Sequence, residues 1–131
     1  MIKMVFSWKN HPDKTAAECD EHYRRVHMRL ATAAFDGSPG FGGLVYNQVK
    51  DSWVNDFNAP GRVESEPNAD AWVELYFSNR ESLQDAFARP GLQTLFDDHP
   101  NFMAVDTPAN IRVYEVDEVA FGGVEPFPRG S

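Results

Sequence analysis

Glu18-Cys19-Asp20-Glu21-His22-Tyr23-Arg24-Arg25-Val26-His27 sets two histidines and a tyrosine on a single predicted helix. Thr15-Ala16-Ala17-Glu18 precedes the apolar periodicity as a capping box, with the threonine hydroxyl accepting from the third amide and the glutamate reaching back. Upstream, Ile2, Met4, Phe6 and Trp8 alternate with Lys3, Val5 and Ser7, the period of a half-buried strand. Asn10-His11-Pro12-Asp13 breaks that strand, and His11 reads as a solvated turn residue. The helix is predicted to run to about Phe35 and to stop at Asp36-Gly37-Ser38-Pro39-Gly40, after which a strand spans Phe41 to about Val49.

The same plan then repeats. Ala71 to Phe77 alternates, with Trp72, Glu74 and Tyr76 on one face and Val73, Leu75 and Phe77 on the other. Ser78-Asn79-Arg80-Glu81 reads as a second capping box. Leu83, Ala86, Phe87, Leu92, Leu95 and Phe96 form a helical stripe interrupted at Pro90-Gly91, and Ile111 to Val116 is a last strand. Two strand-helix-strand halves imply an α+β, ferredoxin-like βαββαβ fold with an antiparallel sheet and both helices on one face. The bare face then calls for a second copy, sheet to sheet, so a homodimer is expected. One domain covers residues 1–118, and 119–131 is a tail whose Pro128-Arg129-Gly130-Ser131 resembles a tag remnant. Residues 50–70 are polar and aperiodic, a long loop that is either a binding element or disordered; Trp53 and Phe57 favour a packed one.

At 131 residues the chain supports one core. Its formal net charge of −8, spread along the sequence, argues against nucleic acid and anionic membranes as partners. No stretch has the length of a spanning helix, and no signal-like segment opens the chain. The single cysteine, Cys19, lies within the helical pattern, where it reads as packing, and fits a reducing, cytoplasmic setting.

On a regular helix Cys19, Tyr23, Val26, Leu30 and Ala33 share a face, and His22 and His27 flank it about 140° apart. That spacing is not the i, i+4 pair of a metal clip, so no metal is expected. Tyr23 and His27 are i, i+4 neighbours, and a phenol beside an imidazole is a candidate proton-handling pair. A core tyrosine and a boundary histidine would look the same. His99, after Asp97 and Asp98, is either a helix terminus or an assisting group over the cleft. Glu74, mid-strand between Trp72 and Tyr76, would be a raised-pKa acid or an interface ion pair. Phe6, Trp8, Trp72, Tyr76 and Phe87 are core residues that would also stack a flat ligand. No glycine-rich fingerprint opens a helix, and neither a serine elbow nor a Cys-His pair is evident, so no cofactor is expected.

The run Cys19-Asp20-Glu21-His22-Tyr23-Arg24-Arg25-Val26-His27-Met28-Arg29-Leu30-Ala31, then Trp72-Val73-Glu74-Leu75-Tyr76-Phe77 and Asp97-Asp98-His99-Pro100-Asn101-Phe102, resembles the EthD family over residues 2–117. The resemblance implies a dimeric α+β barrel and picks His27 and Tyr23 as matching the family's helix histidine and the aromatic before it. Cys19 replaces the usual Phe, Met28-Arg29 replaces Ala-Pro, and the 50–70 segment is longer than usual. The resemblance also implies cofactor-independent chemistry on a small hydrophobic, aromatic or polyketide-like substrate. His27 would be the general acid/base, Tyr23 would position it or donate to a substrate oxygen, and His22 or His99 would assist. Cyclisation with dehydration or decarboxylation ranks first and lactone or ketone isomerisation second. The alternatives are cofactor-free monooxygenation and non-catalytic binding of a hydrophobic metabolite or haem.

Overall fold

The computed structural model describes residues 1–55 and 61–124. Strand β1 (Ile2–Trp8) leads to α1 (Ala16–His22), a π-helical turn (Tyr23–His27) and α2 (Met28–Phe35), which together form one continuous helix. Strand β2 (Phe41–Gln48), a short hairpin of β3 (Trp53–Asn55) and β4 (Arg62–Glu64), and β5 (Ala71–Phe77) follow. Helices α3 (Arg80–Phe87) and α4 (Gly91–Asp98), two 3₁₀ turns (His99–Asn101 and Pro108–Asn110) and β6 (Ile111–Val116) complete the order. The main sheet runs β2-β5-β1-β6 with antiparallel neighbours throughout, the ferredoxin-like arrangement expected.

The register assigns the two faces. Ile2 pairs with Phe77, Met4 with Leu75, Phe6 with Val73 and Trp8 with Ala71, so these residues share the face beneath the helices. Leu44 and Tyr46 of β2 join them. The core they form with the helices includes Trp8, Tyr23, Phe77, Phe102 and Met103, all at most 2% exposed. Each such large side chain contributes about 1.5–3 kcal/mol through burial.

Local chemistry explains the helix starts. The first capping box is present as read: Glu18 N–H donates to Thr15 Oγ1 at 3.1 Å, and Thr15 N–H to Glu18 Oε1 at 3.0 Å. The second start differs by one residue. Asn79 is the cap, accepting from Ser82 N–H at 2.9 Å, while Ser78 binds the Gly40 carbonyl through both its amide and its hydroxyl. Gly40 has φ +74° and carries no side chain because a Cβ would meet Ser82 Oγ at 2.1 Å.

Pro90-Gly91 splits the second helix, as its sequence predicts. Gly91 opens α4 hard against α2, where an added Cβ would lie 3.2 Å from Ala34 Cα. Arg89 ties the same junction by donating to the Ala34 carbonyl (3.0 Å) and the Asp36 carbonyl (2.5 Å) at the end of α2. This close approach brings the far end of α4, Asp98, toward the π-helical turn.

Residues 50–70 hold more structure than a loop. Trp53, Val54 and Asn55 pair with Glu64, Val63 and Arg62. Arg62 covers the Trp53 ring at 4.3 Å and ion-pairs with Asp51 and Glu64, so the packing expected of Trp53 is supplied by its own hairpin. The polar composition disguised this ladder because three-residue strands are too short to show a period. Asp70 anchors the base, its carboxylate accepting from Asn10 N–H at 2.7 Å. Phe57 and the 128–131 segment lie outside the described residues.

Candidate functional site

The π turn governs the site. Met28 N–H bonds the Tyr23 carbonyl, an i to i+5 bond where an α-helix makes i to i+4. The extra residue shifts the buried face by one position from there on. Val26, expected on the apolar face, is 37% exposed, and Ala33 is exposed too; His27, Ala31 and Ala34 are buried instead. His22 and His27, predicted to lie about 140° apart, therefore reach the same carboxylate. His22 Nε2 lies 2.9 Å from Asp98 Oδ1 and 3.1 Å from Oδ2, and His27 Nδ1 lies 2.8 Å from Oδ2. Asn101 Nδ2 donates to Oδ1 at 2.9 Å.

These contacts fix the tautomers. Burial pushes the Asp98 carboxyl up, but the hydrogen bonds from Asn101, His27 and His22 outweigh it and hold the group below its ordinary range. An ionised carboxylate only accepts, so His27 must donate through Nδ1–H and His22 through Nε2–H. Nε2 of His27, across the ring, has no hydrogen-bond partner among the described residues. Burial lowers the His27 pKa, and this outweighs the opposing pull of Asp98. The ring is therefore a neutral base at pH 7.

His27 lines an apolar cavity between helices and sheet of about 50 Å³, measured as room for the centre of a water molecule. Phe6, Trp8, Tyr23, Phe87, Phe96 and His99 also line it. A single water needs about 10–15 Å³ of such room, so the cavity, which is half open to solvent, has space for a few waters. Phe96, 43% exposed, is the lining aromatic nearest to solvent. A groove of about 320 Å³ beside α2 and β2 shares Ala31, Phe35 and Leu44 with this cavity.

Tyr23 packs beside His27 with ring centroids 5.1 Å apart, as the i, i+4 spacing predicts, and stacks on Tyr46 at 4.0 Å. Burial raises its pKa, so its hydroxyl keeps its proton. His99 combines both readings of it: it ends α4, and its ring lines the cavity 5.4 Å from His27. Burial, with the His27 ring nearby, pulls its pKa down to about 4. Among the described residues its ring nitrogens have no hydrogen-bond partner.

The remaining sequence candidates divide by strand parity. Phe6, Trp8 and Phe87 line the cavity. Trp72, Glu74 and Tyr76, grouped with them as substrate-binding, point to the opposite face of the sheet because their register partners are Ser7, Val5 and Lys3. Glu74 there meets Lys3 Nζ at 2.5 Å and accepts from Asn47 Nδ2 at 2.9 Å, pairs made within the chain and not across the interface expected of it. Tyr76 is 1% exposed beside them. His22 does not line the cavity; its ring contacts Asp98. Asp98 itself was not selected from sequence, although it opens the Asp-x-x-x-Phe run ending at Phe102. Phe102 packs against the His27 ring at 4.7 Å and the His22 ring at 5.7 Å. Among the described residues no group of three His, Cys, Asp or Glu side chains is arranged to hold a metal, and no helix is long and apolar enough to cross a membrane.

Comparison with solved structures agrees with this architecture. An EthD family protein from Bacillus halodurans aligns with a TM-score of 0.57 at 20% identity, covering 91% of this chain and all of that one. HapK from Hahella chejuensis gives 0.58 at 7% identity, covering 96% and 100%. A candidate antibiotic biosynthesis monooxygenase from Deinococcus radiodurans gives 0.54 at 13%, covering 96% and 100%. At these identities the likeness concerns the fold. No curated protein matches the chain in sequence. The EthD domain matches residues 11–106, which include the histidine helix, Asp98 and His99. The chain belongs to the EthD family.

Proposed function

We propose that the protein is a cofactor-independent enzyme that removes a proton beside a carbonyl group of a small, flat, hydrophobic substrate, with His27 as the base. One observation carries this reading: a buried imidazole is held by Asp98 through Nδ1–H, while Nε2 is left uncommitted at an apolar cavity. A buried His–carboxylate pair of this kind fixes tautomer and ring orientation and stabilises the imidazolium that forms. The substrate C–H bond breaks, its proton goes to Nε2, and the electron pair moves onto the carbonyl oxygen. Tyr23 O–H and the single N–H of neutral His99 are the donors available to that oxygen. The apolar walls offer few polar partners to water beside the reacting atoms.

From the resulting enolate, attack of the α-carbon on a second carbonyl of the same substrate closes a ring, and the alkoxide so formed takes the proton back from Nε2. Loss of that hydroxyl as water, with removal of a second α-proton, completes a dehydrating cyclisation; return of the first proton to another carbon completes an isomerisation instead. Decarboxylation uses the same groups: Nε2 takes the proton of the substrate carboxyl, CO₂ departs leaving its bonding pair on the α-carbon as an enolate, and Nε2 returns the proton to that carbon. Lyase chemistry ranks first, because a base that also returns its proton suffices for it. Cofactor-free oxygenation is a second reading, since a substrate carbanion in an apolar pocket is the species that reduces dioxygen; the fold shared with the Deinococcus protein supports it. The bare sheet face is assigned to a second copy of the chain, and the net charge of −8 favours neither nucleic acid nor membrane as partner.

The test is a panel of aromatic β-keto acids and polyketide-like diketones, followed by absorbance, CO₂ release and oxygen uptake. These three readouts separate cyclase or isomerase, decarboxylase and oxygenase. Turnover that persists within a few-fold in His27→Ala contradicts the proposal.

A further inference from the structure

Asp98 serves two imidazoles in different surroundings. The His27 side chain is 7% exposed and lines the cavity; the His22 side chain is 23% exposed and opens on the outer surface. The acidic oxygens are also divided. Oδ1 accepts from His22 and Asn101, and Oδ2 accepts from His27, with His22 Nε2 also within 3.1 Å. With two donors on one oxygen, the carboxylate cannot turn without breaking both bonds.

We propose that His22 is a positioning residue for His27, acting through Asp98: it locks the carboxylate against His27 Nδ1–H, and its protonation in the solvent-facing groove is transmitted through the shared carboxylate to the base in the cavity. The inference rests on the reading of His27 as the base. It adds a residue outside the cavity that sets how strong that base is. A proton on His22 offsets the charge of Asp98, so the field favouring a proton on His27 weakens and Nε2 becomes a weaker base.

The π turn is what permits this. On a regular helix the two rings could not reach one carboxylate. The groups facing His22 are Glu18 and Glu21 from α1, Lys14 from the preceding loop, Arg25 from the π turn, Asp98 from α4 and Asn101 from the following turn. Phe102 stacks on the ring at 5.7 Å and holds its plane. Lys14 Nζ is itself committed to the Asn101 carbonyl at 2.5 Å, and Arg25 to Glu21 at 2.9 Å. Asp98 is thus the carboxylate that His22 engages directly.

Imidazole ¹⁵N NMR of the intact protein across pH tests this without a substrate. In the parent, the His27 ring nitrogens are expected to show two inflections, their own and one passed on through Asp98. In His22→Gln, whose amide still donates to Asp98, the second inflection disappears and the His27 Nδ1–H proton remains protected. In His22→Phe, which keeps the stacking but donates nothing, that proton exchanges at least tenfold faster. His27 titration curves that superimpose in the parent and His22→Gln overturn the proposal, whatever His22→Phe does. If His27→Ala keeps its activity, the function assigned above fails, whereas the NMR coupling still decides the link between the histidines.

Discussion

The two faces of the sheet carry polar groups on opposite terms. On the open face, Glu74 is engaged by Lys3, Asn47 and Tyr76, and Lys3 also meets Glu118, so charge is matched by charge at short range. On the helix side, Tyr23, His27 and His99 are set among Phe6, Trp8, Phe87 and Leu95, and only Nδ1 of His27 is tied down. The uncommitted His27, His99 and Tyr23 atoms keep some exposure in the cavity, so they do not carry the full cost, about 1–3 kcal/mol, of a buried polar atom without a partner. The contrast separates a face whose charges are paired from an apolar cavity that holds uncommitted polar groups.

The largest expected break of this contrast is His27→Ala, which should lower proton-transfer activity by about 10²–10⁴-fold while leaving the open face intact. Steady-state kinetics of the purified variant check it. Asp98→Asn should follow, at about 10–10³-fold. Its amide donates as well as accepts, so the His27 tautomer is no longer fixed. A variant that retains parental activity would show that the carboxylate only joins helices.

Acidification provides a third probe. His27 and His99 are both neutral in the fold at pH 7, with pKa values lowered by burial, to about 4 for His99. The unfolded chain takes up those protons near pH 6.5. The stability due to the neutral rings is therefore complete above pH 6.5 and is lost as pH falls from there toward the folded values. Melting temperature should drop by several degrees between pH 7 and pH 5, and His99→Phe should flatten that slope. Activity should fall with a midpoint below 6.5, since protonating Nε2 removes the base. The smallest expected effect is that of Glu74→Gln. It should cost about 0.5–1.5 kcal/mol, measured by urea denaturation, and change activity less than threefold.

Much of this was legible in the sequence and some was not, for physical reasons. The alternation of Ile2–Trp8, the Thr15–Glu18 box and the Pro90-Gly91 break give the element order directly. The i, i+4 spacing pairs Tyr23 with His27, the family resemblance picks them out, and their rings lie 5.1 Å apart. The reach of His22 and His27 to one carboxylate was hidden because a π turn arises from tertiary packing, and 100° per residue no longer holds across it. Val26 is the visible casualty, an apolar residue turned outward. Asp98 was missed since Asp-Asp-His-Pro is also an ordinary helix end; the late Asp-x-x-x-Phe run was the available signal. Trp72, Glu74 and Tyr76 were correctly placed on one common face, but alternation alone does not reveal which face the helices cover.

The central claim is that His27 Nε2 takes a proton from carbon in the cavity. Exchange of the α-protons of a small aromatic ketone such as 2-tetralone in D₂O, followed by proton NMR, tests it most directly. Catalysed exchange by the parent, lost at least a hundredfold in His27→Ala and retained in Glu74→Gln, is the predicted result. Catalysed exchange that is equal in the parent and His27→Ala would contradict the account.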